Sequence, residues 1–170
     1  MASILDNLLT RIQSISDGLD NGLLVKEVLI PKEADILELQ RQQLFEGISS
    51  SGEDIHPYYS EDLKPEGYFY SAESAGRYTA WKQSLSYPYE ANRNPDAPNL
   101  YINGRFHDEL GVQCGADALA IIGTTSYAEG IIGKYGITTF GLTGQNWDEI
   151  FSRRGGYDDL LNKVKEIIYA

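Results

Sequence analysis

LYINGRFHDELGVQCGADALAIIGTTSYAEGIIGKYG, residues 100–136, decides the fold of this chain. Phe106, Leu110, Val112 and Cys114 alternate with His107, Glu109, Gly111 and Gln113. A period of two with one polar face marks a half-buried strand. Asp108 interrupts the alternation and sets the strand's start near Glu109. On this reading His107 and Glu109 share the polar face, and Cys114 is a small core filler. Gly115–Ala116–Asp117 supplies a turn, and Leu119 to Gly123 returns as a second strand. Ser126 stands where it can cap a helix carrying Ala128, Ile131, Ile132 and Tyr135 on one face. Gly136 follows at C′, where glycine takes the left-handed conformation cheaply.

Upstream, Leu5, Leu8, Ile12 and Ile15 fall at helical spacing, with Ser3 and Asp6 resembling a capping box. They predict a helix over about 3–16, ended near Asp17–Gly18, whose narrow apolar stripe suits the body or a neighbouring subunit. Leu23 to Ile30 fits either helix or strand. Pro31 opens a second helix, with Glu33 and Asp35 favoured in its first turn. Ile36, Leu37 and Leu44 share its face and Gly47 stops it. Residues 48–57 read as a loop.

Residues 58–89 hold seven of the twelve tyrosines: Tyr58, Tyr59, Tyr68, Tyr70, Tyr78, Tyr87 and Tyr89. Tyr78, Trp81 and Leu85 fit a short helix near 72–85. The three prolines of 86–99 predict an extended surface connection. Downstream, Ile137 to Leu142 reads as a short strand. Asn146 with Glu149 reads as a cap for a short helix bearing Trp147, Ile150 and Phe151. After Gly155–Gly156, Tyr157, Leu160, Leu161, Val164, Ile167 and Ile168 make an amphipathic last helix. The class expected is α+β: a small antiparallel sheet packed with about five helices, plus an extended Tyr/Pro-rich arm. Within one domain the organisation is a helical segment (1–30), a helix with the Tyr/Pro-rich arm (31–99) and a sheet-and-helix core (100–170).

The chain has 170 residues, 42% hydrophobic and 23% charged, enough for a core without disulfide or metal staples. Its single cysteine excludes an internal disulfide framework. The start, MASILDNLLTR, has neither the basic lead nor the apolar run of a signal peptide. No apolar run reaches membrane-spanning length, so no membrane partner is expected. A net charge of −11 repels phosphate, and sequence-specific nucleic-acid binding is not expected either.

The residues that invite chemistry each have a plainer reading. His56 with Glu53 and Asp54 carries metal-ligand types, yet no second His or Cys cluster stands near them. Strand alternation sets His107 and Asp108 on opposite faces. Adjacent acid pairs such as Glu61–Asp62 and Asp158–Asp159 arise by chance among 25 acidic residues. An apolar strand face is the wrong setting for a reactive Cys114 thiol. GIIGKYG fails as a phosphate loop, with Ala128 where glycine is required and Tyr135 where Ser or Thr is. No catalytic, cofactor or metal residue is assigned, and an enzyme is not expected. The tyrosine-rich stretch is the stronger signal, and it reads as interface or core ahead of a sugar-stacking platform.

Residues 40–140 resemble tail-completion or neck proteins of long-tailed bacteriophages. The shared pattern runs through Leu100, Asn103–Gly104, Phe106, Leu110 and Val112, then Leu119–Gly123, Ser126–Tyr127–Ala128 and Tyr135–Gly136. Gln43–Leu44–Phe45, Gly47, Gly52, Ile55, Pro57 and Tyr59 are similar to structural proteins of phages and prophages of gut bacteria. Asn103 stands where the family often has Thr. The resemblance implies a virion structural protein, assembled in the host cytoplasm, that forms a homo-oligomeric ring at the head–tail junction. Its partners would be other copies of itself and other neck, portal-side or tail-tube proteins. Some acidic side chains would line a conduit along which DNA slides. Leu5, Leu8, Ile12, Ile15, Tyr58, Tyr59, Tyr68, Tyr70, Tyr87 and Tyr89 are the expected contact residues. The alternative is a tail-associated carbohydrate- or protein-binding module.

Overall fold

The computed structural model describes residues 4–88, 93–115 and 119–169. Its helices are α1 (Ile4–Asp20), α2 (Leu23–Leu29), α3 (Glu33–Phe45), α4 (Ala72–Ser84), α5 (Arg105–Asp108), α6 (Ala128–Tyr135), α7 (Gly144–Asp148) and α8 (Gly156–Tyr169). The strands β1 (Leu110–Cys114) and β2 (Leu119–Gly123) pair antiparallel, with Val112 opposite Ile121. The fold is α+β with a small two-stranded antiparallel sheet. Short α2, left open between helix and strand, and the α5 turn raise the helical segments above the five or so expected.

α3 is the centre. Ile36 and Leu44 are fully buried, and Leu29, Leu37, Ile55, Phe106, Leu110, Ile121, Leu142 and Ile150 close around them. Gly47 ends α3 with φ 77, its N–H on Leu44 O and the Ile48 N–H on Gln43 O, the double closure that favours glycine at C′. The second half of α3 buries two glutamines that the apolar pattern hid. Gln40 accepts from Gly141 N at 2.8 Å and donates to Thr139 O at 3.3 Å. Gln43 accepts from Thr143 N at 2.9 Å and donates to Gly141 O at 2.8 Å. These amides partner segment 139–143 as a neighbouring strand would. The strand expected over Ile137–Leu142 is therefore a 3₁₀ turn, Ile137–Thr139, followed by extended chain laid on α3.

Other boundaries depart from expectation for local reasons. Leu23–Leu29 resolves as helix. Residues 105–108 form a helical turn rather than the head of β1, because Asn103 Oδ1 accepts the Arg105 N–H at 3.2 Å and Arg105 pairs with Glu109 at 2.7 Å. That turn carries His107 into the core, 2% exposed, instead of onto a polar strand face. Burial fades along β1, so Cys114 at its far end is exposed and fills no core. The turn expected at Gly115–Ala116–Asp117 falls mostly outside the described residues. Thr143, not Asn146, caps α7. Tyr127, not Ser126, stands at the N-cap of α6, without a side-chain bond. Gly136 is its C-cap with φ 87 and ψ 162, outside the left-handed helical region.

α1, α2 and α8 form a second layer beside this core. α1 runs past Asp17 to Asp20, because Gly18 is a contact and not a stop. A Cβ there would lie 2.9 Å from Leu24 Cγ, so glycine lets α2 approach. Arg11 Nη1 donates to Ile168 O, tying α1 to the end of α8. Lys32 pairs with Asp159 at 2.9 Å, and Arg154 reaches Asp35 and Glu38 at 2.6 and 2.8 Å, clamping the start of α8 to α3. Among the described residues no helix is long and apolar enough to cross a membrane.

Candidate functional site

Two surfaces stand out: the apolar stripe of α1 and a tyrosine-walled cleft. Leu5, Leu8 and Ile12 are 63%, 44% and 52% exposed, and Ile15 is half-buried. Sequence reading missed Leu9 and Leu19, which extend the exposed set. The signal for Leu19 was present, since 5–8–12–15–19 keeps one three–four repeat to the end of the helix.

The tyrosines do not act as one arm. Tyr59 is buried among Phe69, Tyr78 and Ala75, with ring centroids 6.1 and 5.0 Å from Phe69 and Tyr78. It faces its own chain and is removed from the contact set. Tyr58 donates to Asp54 at 2.9 Å. Tyr87 is half-buried, 4.6 Å from Phe45, with Arg93 stacked 5.0 Å over its ring. Tyr68 and Tyr70 are outward, at 71% and 86% exposure. Tyr89 lies outside the described residues.

The cleft has a volume of about 320 Å³ between α4, residues 100–106 and α6. Tyr59, Tyr78, Tyr127 and Tyr135 wall it with Leu100, Ile102 and Phe106. Burial pushes the phenols of Tyr59 and Tyr78 up, and that of Tyr135 up to about 12. They are neutral hydroxyls at physiological pH. Lys82, 1% exposed, lies at the cleft's base and donates to Tyr101 O; burial, aided by Arg93, brings its pKa down to about 8. Leu100 adopts φ 52, an uncommon backbone for leucine. An adjoining recess adds Tyr68, Phe69 and the Asp62–Lys134 ion pair. The walls suit an apolar or aromatic group with hydroxyl contacts at its rim.

The remaining candidates resolve as structure. His107 donates through Nε2 to Asn99 O at 3.0 Å, which leaves Nδ1 unprotonated. Burial brings its pKa down to about 4. His56 is exposed and stands 3.4 Å from Glu61. Among the described residues no group of three His, Cys, Asp or Glu side chains is placed to hold a metal ion. Comparison of the chain with protein-family models, curated proteins and solved structures returns no match.

Proposed function

We propose that this chain is a non-enzymatic structural subunit of a tailed-phage virion. It assembles in the host cytoplasm into a homo-oligomeric ring at the head–tail junction, in contact with portal-side, neck or tail-tube proteins. The observation that carries the assembly reading is the α1–α2–α8 layer. Its apolar residues Leu5, Leu8, Leu9, Ile12, Leu19, Leu23 and Leu161 stay 43–63% exposed. An apolar surface of this kind marks a face that another protein covers. The phage context rests on the sequence pattern of residues 40–140. Deleting the gene from a phage that carries it should accumulate filled heads and free tails. Complete, infectious particles lacking the protein would overturn the reading.

The tyrosine-walled cleft favours a second reading, a tail-associated binding module. Trp81 is 43% exposed, 5.4 Å from the ring of Tyr78 at the cleft's edge. A glycan array discriminates: saturable binding lost on Trp81→Ala supports the module, and no binding removes it.

A further inference from the structure

α1 carries Leu5, Leu8, Ile12, Ile15 and Leu19 in a strict three–four repeat. That is the a/d seam of a helix seated against another helix. Within its own subunit α1 is held along the adjoining edge. Arg11 and buried Gly18 form a line toward α2 and α8, meeting Ile168 O and the Leu24 side chain, and Ile15, the half-buried residue of the seam, lies between that line and the exposed seam positions. At about 100° per residue, the line Leu5–Ile12–Leu19 is about a quarter turn away from the Arg11–Gly18 line. Among the described residues α1 is thus held by one edge, with Leu5, Leu8, Ile12 and Leu19 of its seam exposed. Every residue from Ile4 to Thr10 is exposed, so roughly two turns stand clear of the subunit before Arg11 meets α8.

We propose that a second copy of this chain covers the seam, with α1 packed parallel against α1 of the neighbouring subunit to form a helical collar around the ring axis. The inference rests on the ring reading above, because rotational symmetry brings equivalent residues of neighbours to the same height. Three observations choose this occupant. The repeat is that of helix against helix. Ile4 and Leu9, beside the seam, are apolar where two-stranded coils carry charge, which widens the face toward more than one neighbouring helix. Asp6 and Asp17 fall on the far side of α1 and Asp20, its last residue, is about a quarter turn from the seam, so chains of net charge −11 approach here with one bordering carboxylate each. The area also suffices. A half-exposed Leu or Ile offers on the order of 80 Å². Ile4, Leu5, Leu8, Leu9, Ile12 and Leu19 from two subunits then give roughly 1,000 Å², the lower bound of a specific interface.

The test is a cysteine ladder in the full chain carrying Cys114→Ser, since the native cysteine is exposed. Leu5→Cys, Ile12→Cys and Leu19→Cys are made singly, with Thr10→Cys as the polar-side control, and folding is checked by circular dichroism. After mild oxidation, the parallel collar predicts that each of the three seam variants crosslinks in more than about half of its chains, at least five-fold above Thr10→Cys. Self-crosslinking at Ile12 alone, with Leu5→Cys crosslinking only when mixed with Leu19→Cys, is an antiparallel pair and overturns both the collar and the ring. An oligomer by light scattering that crosslinks at none of the three overturns the collar and leaves the ring reading intact. A monomer that crosslinks at none overturns both.

Discussion

α1 and α3 invert what their sequences advertise. α1 has the cleaner apolar stripe, yet among its described residues only Gly18 is buried. α3 mixes Gln40, Gln43 and Glu38 with its leucines, yet seven of its thirteen residues are buried. The difference lies in what surrounds each helix. α3 is enclosed on several sides, and its buried amides have backbone partners, so polarity there does not mean exposure. Among the described residues α1 has α2 and α8 along one edge and leaves Leu5, Leu8, Ile12 and Leu19 exposed, so apolarity there does not mean a core. A helix pattern reports a preference for partners; whether they lie in the same chain is a separate matter.

The largest effect expected from breaking this contrast is at Leu44, fully buried on α3. Leu44→Ala should cost about 4 kcal/mol of unfolding free energy, read from a shifted urea midpoint. Gln43→Leu sharpens the point. It leaves the part-buried Thr143 N–H and Gly141 C=O without their side-chain partner and should cost about 2 kcal/mol despite adding apolar surface. If Gln43→Leu is neutral, the amides of α3 do not hold segment 139–143.

Acid sensitivity should come next in size after Leu44→Ala. The His107 pKa is lowered to about 4, so as pH falls the unfolded chain takes up that proton first. The contribution is fully present above pH about 6.5 and is lost between about 6.5 and 4, to the extent of about 3 kcal/mol. Stability measured at several pH values should show that slope, and His107→Gln should flatten it. The smallest effect belongs to α1. Ile12→Ser should change monomer stability by less than about 0.5 kcal/mol, as at an ordinary surface site, because Ile12 is 52% exposed.

Much of this architecture was legible from residue patterns. The β1–β2 pair, α6 and α8 follow from alternation, helical spacing and glycine stops, all of which are local. What escaped reading depended on contacts across the chain. Gln40 and Gln43 read as solvent-facing until segment 139–143 is laid beside them. His107 follows strand alternation until the Asn103 turn winds it inward. Tyr59 and Tyr87 match the exposed Tyr68 and Tyr70 in type and spacing, and only the packing of Phe69, Tyr78 and Phe45 separates them. On α1 the seam was readable as far as Ile15. Gly18, taken as a stop, concealed the last repeat at Leu19, because a glycine that admits α2 has the same letter as one that ends a helix.

The central claim is that the bare side of α1 is an assembly surface. Sedimentation velocity over a hundred-fold concentration range, on the wild-type chain beside Ile12→Ser, tests it most directly. Assembly through α1 gives a discrete oligomer for the wild type and a folded monomer for Ile12→Ser. A wild-type chain that sediments as a monomer at every concentration, or an oligomer that Ile12→Ser leaves intact, would contradict it.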